Sequence, residues 1–162
     1  VSVQVRPMRE DDWPQVLDIA RKLAAWFRPT EQMTLAIDLR AHQGLVAAEG
    51  YRIVGFLTYH LLNAARAELS WFGIPPERQA QGVGRQLLAD LEARLAARGV
   101  KVLQLSTVPG DHDAAFLPTN IFYEHRGFVV RQRDENFYSQ GRPRILLEKE
   151  LLSPQGAPSE PS

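Results

Sequence analysis

Residues 77–99, ERQAQGVGRQLLADLEARLAARG, carry two glycines, Gly82 and Gly84, at the mouth of a long amphipathic run. From there the apolar positions are Val83, Leu87, Leu88, Leu91 and Leu95, a stripe at helical spacing. Arg85, Gln86, Glu92 and Arg94 mostly take the other side, and Gly99 supplies a stop. A glycine turn that feeds a helix exposes backbone N–H groups lacking an intrahelical partner, and the helix dipole adds to their pull on an anion. Gly82 and Gly84 can take φ values closed to other residues, and Arg78 and Arg85 could add charge. Two better-known phosphate motifs are excluded. Leu87 stands where a dinucleotide fingerprint needs its third glycine, and the G-K-[ST] of a P-loop is missing. On the local pattern alone, an anion grip and a plain capping turn both remain open.

Working outward, SVQVRPM (2–8) reads as a strand closed by Pro7. DDWPQVLDIARKLAAW (11–26) reads as a helix capped by Asp11 or Asp12, and a second helix is expected from Glu31 to His42, stopped at Gly44. LVAAEG (45–50) and YRIVGFLTYHLL (51–62) read as two strands of a hairpin turning at Glu49-Gly50. AELSWFGI (67–74) is a strand stopped by Pro75-Pro76, and VKVLQLST (100–107) is apolar enough for the interior of a sheet. A short helix in PTNIFYEHRG (118–127), a strand in FVVRQRD (128–134) and a last strand in RILLEKEL (144–151) complete the order. SPQGAPSEPS (153–162) has little to bury and reads as a disordered tail. The expectation is one α/β domain over residues 1–152.

The composition narrows the function classes. The chain has 162 residues, 44% of them hydrophobic, which suits one ordinary core. Lys plus Arg and Asp plus Glu are 19 each, so there is no net charge to favour nucleic acid, and no nucleic-acid partner is expected. The absence of cysteine removes disulfides, thiolate metal sites and a cysteine nucleophile, and fits a cytoplasmic protein. No apolar run nears the roughly 18 residues that span a bilayer, and the first residues alternate like a strand instead of forming a signal peptide's apolar region, so no membrane partner is expected. His42, His60, His112 and His125 lack metal-ligand spacing, and no metal is expected.

Taken together, the motifs resemble the GNAT (GCN5-related) N-acetyltransferases. IPPERQAQGVGRQLL (74–88) matches the family's Q/R-x-x-G-x-G/A signature through Gln79, Gly82 and Gly84. AELSWFGI looks like its fourth strand leading into a V-x-P-x-x-R/Q-G-x-G-x-G turn. FYEHRGF (122–128) resembles the lYeklGF segment, and ENFYSQGRPRILLEKEL (135–151) the terminal strands. The resemblance runs from about Arg6 to Leu151. It implies a single GNAT-type α/β domain with a central mixed sheet of six to seven strands, about four helices, and fourth and fifth strands that splay apart.

It also implies acetyl-CoA as cosubstrate and assigns the residues around it. Gln81, Gly82, Val83, Gly84 and Arg85 would cradle the pyrophosphate, with Gln79 shaping the turn. Phe72, Gly73 and Ile74 would pair with the pantetheine arm. Gly73 suits a close ligand approach, with a bulge or a packing need as the alternative. Tyr123 takes the place of the family's general acid, a neutral phenol able to protonate the departing thiolate. At the positions seven and four before it, where an asparagine and an alanine are common, this chain has Phe116 and Thr119. Thr119 is therefore a candidate cofactor contact, and Asn120 does not inherit the asparagine's role.

Glu68 resembles in position the catalytic glutamate of histone acetyltransferases. On a strand Glu68, Ser70 and Phe72 alternate to one face, so Glu68 could deprotonate the acceptor beside Ser70, or be an ordinary edge carboxylate. The implied reaction is direct attack of a primary amine on the thioester, the oxyanion held by a backbone amide. The amine could belong to a small molecule, a protein N-terminus or a lysine. Trp26 and Phe27 near Arg28-Pro29, with Ser70 and the late Tyr138, are acceptor-side candidates, although Trp26 suits a core equally well. Self-association through terminal strands is common in the family, so a homodimer is an expectation. An acyl-CoA-binding sensor of the same fold and a small nucleic-acid-binding α/β protein are the alternatives.

Overall fold

The computed structural model describes residues 2–152; the tail expected over 153–162 lies outside the described residues. Seven strands and four α-helices follow one another as β1 (Gln4–Pro7), α1 (Trp13–Lys22), α2 (Pro29–Asp38), β2 (Gln43–Glu49), β3 (Arg52–Leu61), β4 (Arg66–Gly73), α3 (Val83–Ala97), β5 (Val102–Thr107), α4 (Leu117–His125), β6 (Val129–Ser139) and β7 (Arg142–Glu150). The strand order is β1-β2-β3-β4-β5-β7-β6. Hairpins make antiparallel neighbours, while β4 and β5 are joined through α3, the long crossover that a parallel pair requires. The α/β fold with a mixed seven-stranded sheet is the one expected.

The described residues form two compact units, and the division falls inside β4: Leu69–Leu95 group with the residues up to Leu61, whereas Leu62–Glu68 group with those from Ala96 onward. The core of the first unit joins Val16, Ile19, Ala20 and Leu23 of the α1 region and Leu35 of α2 to Val46 and Phe56 on β2 and β3. These positions recur at helical spacing on α1, and the amphipathic face they make is what docks the helix on the sheet. In the second unit, β5 and β6 both pair antiparallel with β7, and Leu103, Leu105, Ile145 and Leu147 are buried. The backbone N–H groups of Lys101 and Val102 both donate to Ala65 O, at 2.7 and 3.0 Å, which fastens the start of β5 to the residue before β4.

Several boundaries differ from the sequence expectation for identifiable reasons. Pro29 opens α2, where a missing N–H costs nothing, and the helix ends at Asp38 in a tight turn closed by His42 N–H donating to Asp38 O at 2.8 Å. Gly44 is a strand residue and not the stop: a Cβ there would lie 2.8 Å from Met8 Cε and 3.0 Å from Leu57 O. The first helix is not capped by an aspartate side chain. Asp12 is instead the centre of a bidentate pair with Arg6, at 2.7 and 2.8 Å, and also accepts the Arg9 N–H at 2.8 Å. β6 is longer than FVVRQRD, because its hairpin with β7 closes around Gly141, whose φ is +74°.

Candidate functional site

In the first unit the glycine turn is held from both ends by its own side chains. Gln79 Nε2 reaches back to donate to Ile74 O at 3.0 Å, tying the turn to the end of β4, and Gln81 Nε2 donates to Glu77 O at 3.1 Å. Gly82 has φ +84°, with nothing within 4 Å of where a Cβ would stand. Conformation therefore selects glycine there, and the backbone face is left open to a ligand. Val83, which opens the fifteen-residue helix α3, is buried with Leu87, Leu88, Leu91 and Leu95, so packing fixes the direction of the N-terminus. Gln79, Gln81, Gly82 and Arg85 are exposed and Gly84 is half-buried. The amides of Val83, Gly84 and Arg85 belong to the first helical turn, where no earlier carbonyl can take them.

The turn also contains a strained residue. Ala80 has φ +62° and is the non-glycine residue with positive φ among those described. An L side chain in the left-handed region costs about 1–2 kcal/mol, partly offset by the flexibility a glycine would add to the unfolded chain. Ala80→Gly is therefore expected to raise stability by up to about 1 kcal/mol, or about 2–4 °C in Tm. Thermal unfolding checks this, and a lower Tm would contradict the turn geometry.

Charge around the turn is more committed than the sequence suggests. Arg78 forms a bidentate pair with Glu49 at the end of β2, at 3.2 and 2.9 Å, and each partner holds the other in its charged form. Lys22 and Arg52 both approach Glu77 Oε1, at 3.8 and 3.6 Å. An anion on the turn would accordingly meet backbone amides and Arg85 before it met Arg78.

Phe72, Gly73 and Ile74 end β4 and lead into the turn. Packing alone accounts for Gly73, because a Cβ would come within 2.6 Å of Phe56 Cε1 and 3.3 Å of Leu23 Cδ1. Phe27 departs from the expected exposed aromatic pair. It is 3% exposed, 6.3 Å from the Phe56 ring and 5.5 Å from Trp71, and so belongs to the core. Its neighbour Trp26 is half-buried against the same cluster. Ser70 is half-buried on β4, and its Oγ lies 3.1 Å from His60 Nδ1. The His60 ring in turn stacks on His42, with centroids 4.5 Å apart and planes 20° apart. The two histidines are scattered in the sequence, and the β2–β3 register brings them together.

In the second unit Thr119 and Tyr123 stand four apart on α4, on one face of that helix. Tyr123 is 6% exposed and meets the Phe122 and Phe128 rings edge-on, each at 5.5 Å between centroids. Burial pushes its phenol well above the ordinary value of 10.0, so it keeps its proton throughout the neutral range. Asn120 is a clamp for the loop after β5: it accepts Gly110 N–H at 2.7 Å and donates to Val108 O at 3.2 Å. Glu68, half-buried on β4, and Tyr138, exposed near the end of β6, belong to the same unit. Among the described residues no cluster of three or more His, Cys, Asp or Glu is placed to hold a metal, and no helix is long and apolar enough to cross a membrane.

Residues 9–128 match the family model of the Acetyltransferase (GNAT) family. Among curated relatives, the acetyltransferase SG1711 of Sodalis glossinidius is 24% identical over 156 residues, covering 94% of this chain and 99% of the relative. The fold is similar to that of the ribosomal-protein-S18-alanine N-acetyltransferase from Escherichia coli, with a TM-score of 0.77, 20% identity, and coverage of 93% of this chain and 94% of that one. It is also similar to a GNAT family acetyltransferase from Elizabethkingia anophelis with acetyl-CoA bound, with a TM-score of 0.72, 17% identity, and coverage of 92% and 98%.

Proposed function

The chain belongs to the GNAT acetyltransferase family, and on that premise we propose that it moves the acetyl group of acetyl-CoA directly to a primary amine of a small molecule, a protein N-terminus or a lysine. The observation that carries the proposal is the turn from Gln79 to Arg85. It combines an open, positive-φ glycine, helix-initiating amides and a buried anchor at Val83, a donor set suited to a pyrophosphate. That a relative of the same fold holds acetyl-CoA supports this choice of ligand. Phe72, Gly73 and Ile74 would offer backbone to the pantetheine arm, and Thr119 would contact the cofactor from α4.

In this reading Tyr123 protonates the departing thiolate. A phenol whose proton is held tightly by burial suits an acid that must arrive protonated at neutral pH. Glu68 takes the proton of the acceptor ammonium, and Ser70, Trp26 and Tyr138 line the acceptor side. A non-catalytic acyl-CoA sensor would share the turn and differ in having no turnover. Coenzyme A release from acetyl-CoA across a panel of amines separates the two. Release with at least one amine is expected, and tight acetyl-CoA binding with no release for any amine would favour the sensor. A cytoplasmic setting and a homodimer belong to the same proposal, and sedimentation of the full chain tests the second.

Glu68→Gln supplies a sharper check on the base. Without the carboxylate, turnover should fall about 10²-fold or more near pH 7 and recover as pH approaches the amine's own pKa. A pH–rate profile unchanged from the wild type would remove Glu68 from proton transfer.

A further inference from the structure

His42 and His60 are far apart in sequence, yet β2 and β3 bring them together. Gly44 pairs with Thr58 and Gln43 with Tyr59, so the next step in register sets His42 across from His60. The rings stack at 4.5 Å, and His60 Nδ1 lies 3.1 Å from Ser70 Oγ on β4. His42 Nδ1 is buried and has no hydrogen-bond partner among the described residues; Thr58 Oγ1, on the same face, is likewise buried without one. The cavity that His42 lines also carries Glu10, Tyr59 and Arg94, and β4 adds Arg66 ahead of Glu68. Asp38, at the end of α2, has its carboxylate engaged by Trp71 Nε1 at 2.8 Å. Arg40 just beyond it is exposed, and Glu68 precedes Ser70 by two positions on β4.

We infer that neutral His60 accepts the Ser70 hydroxyl hydrogen at Nδ1 and so turns the Ser70 lone pairs toward the acceptor amine, and that protonation of the His42–His60 pair reverses this orientation and weakens amine binding. The inference rests on the acetyl-transfer reading, and makes His60 a positioning residue acting through Ser70. A serine hydroxyl has one hydrogen and two lone pairs. With the hydrogen committed to His60, only acceptor capacity faces outward, which suits an ammonium or amine N–H. Once His60 Nδ1 carries a proton it must donate, Ser70 becomes the acceptor, and the hydroxyl hydrogen turns outward against the N–H groups of the substrate.

Stacking limits the pair to one proton, because two imidazolium rings this close repel. The buried, unpartnered His42 Nδ1 decides where that proton goes, since protonating His42 would bury an N–H with no acceptor. The proton therefore enters at His60.

The test measures KM for a responsive amine at saturating acetyl-CoA, from pH 5.5 to 8.5 (about one unit or more to either side of ordinary imidazole titration). In the wild type the amine KM should rise about tenfold on the acid side, the loss of one charge-assisted hydrogen bond. His60→Asn, which keeps an acceptor near the Nδ1 position but does not titrate, should flatten that rise. Ser70→Ala should show the raised KM at every pH. The KM for acetyl-CoA should stay constant in all three, which a general structural defect would not allow. An Asn variant that follows the wild-type curve, or an Ala variant with the wild-type amine KM, overturns the inference.

Imidazole proton NMR of the full chain supplies a readout independent of turnover. His60 should titrate and His42 should not, and the His60 midpoint should move in Ser70→Ala. Two independent one-proton titrations, or His42 titrating first, overturn the inference. If the wild type acetylates no amine, the acetyl-transfer reading falls and takes the amine-positioning role with it, while the NMR arm still decides the one-proton pair. If the wild type turns over and both variants keep its pH dependence, only the histidine inference falls.

Discussion

Tyr123→Phe is expected to lower kcat for acetyl transfer by about 10²-fold or more, the upper range of what a positioned general acid contributes, while the fold and the KM for acetyl-CoA change little. The ring is wedged edge-on between Phe122 and Phe128 and is 6% exposed, so phenylalanine fills the same space. What it removes is the proton. Burial lifts the phenol above its ordinary value of 10.0, and the wild-type side chain is therefore fully protonated across the neutral range. Deprotonation of this group should not limit the rate until well beyond pH 10. The measurement is steady-state kinetics against pH for both proteins, with circular dichroism and a melting curve as controls on the fold. Full turnover in the phenylalanine variant would remove Tyr123 from the chemistry. A variant that melts early would show instead that the hydroxyl is structural.

Asp12→Asn is expected to destabilise the chain by about 2–3 kcal/mol, or roughly 5–10 °C in Tm, without touching the glycine turn. Asp12 is 6% exposed, accepts both Arg6 guanidinium N–H groups and the Arg9 N–H, and links β1 to the turn that opens α1. Asparagine keeps the shape but leaves the partly buried Arg6 cation without its counter-charge. The Arg6 hydrogen bond is the largest influence on the carboxyl and lowers its pKa from the ordinary 3.8. Burial opposes this, and the Arg9 N–H adds to the lowering. The unfolded chain therefore binds this proton at a higher pH than the folded one does. The contribution is complete above the ordinary value and is lost as acid carries the pH down through the folded one. Chemical denaturation at pH 7 and pH 3 checks the sign: wild type and variant should differ clearly at pH 7 and converge as the pH falls. A difference that persists undiminished in acid would assign the effect to packing instead of charge.

What could be read from the sequence, and what could not, follows the range of the interactions. The α3 stripe and its Gly99 stop are local signals, and so is the Glu49-Gly50 turn, where Gly50 takes φ +64°; each forms where the pattern put it. Gly82 was legible as a special backbone position for the same reason. Gly73 reads first as a place for ligand approach, and the packing that accounts for it is not local: the Phe56 ring that excludes a Cβ lies on β3. Phe27 looked like half of an exposed pair, but tertiary contacts with Phe56 and Trp71 draw it inward. Of the two arginines at the turn, Arg78 is engaged by Glu49 at the end of β2, a partner twenty-nine residues away that the local sequence does not show.

The histidine pair shows the same limit most clearly. Extending the hairpin register from Glu49↔Arg52 without interruption would pair His42 with Tyr59. A register shift between Ala47 and Ala48 moves the partner by one residue, which changes the face and brings in His60. Nothing in the local sequence marks that bulge.

Direct transfer leaves no acetyl group on the protein, and isotopically labelled acetyl-CoA reads this out in one experiment. The full chain is incubated with label and an amine that supports coenzyme A release, and both protein and amine are weighed by mass spectrometry through the first turnover. Label is expected on the amine in step with free coenzyme A, with none covalently attached to the protein. Label accumulating on the protein, or appearing only as free acetate, would contradict direct transfer.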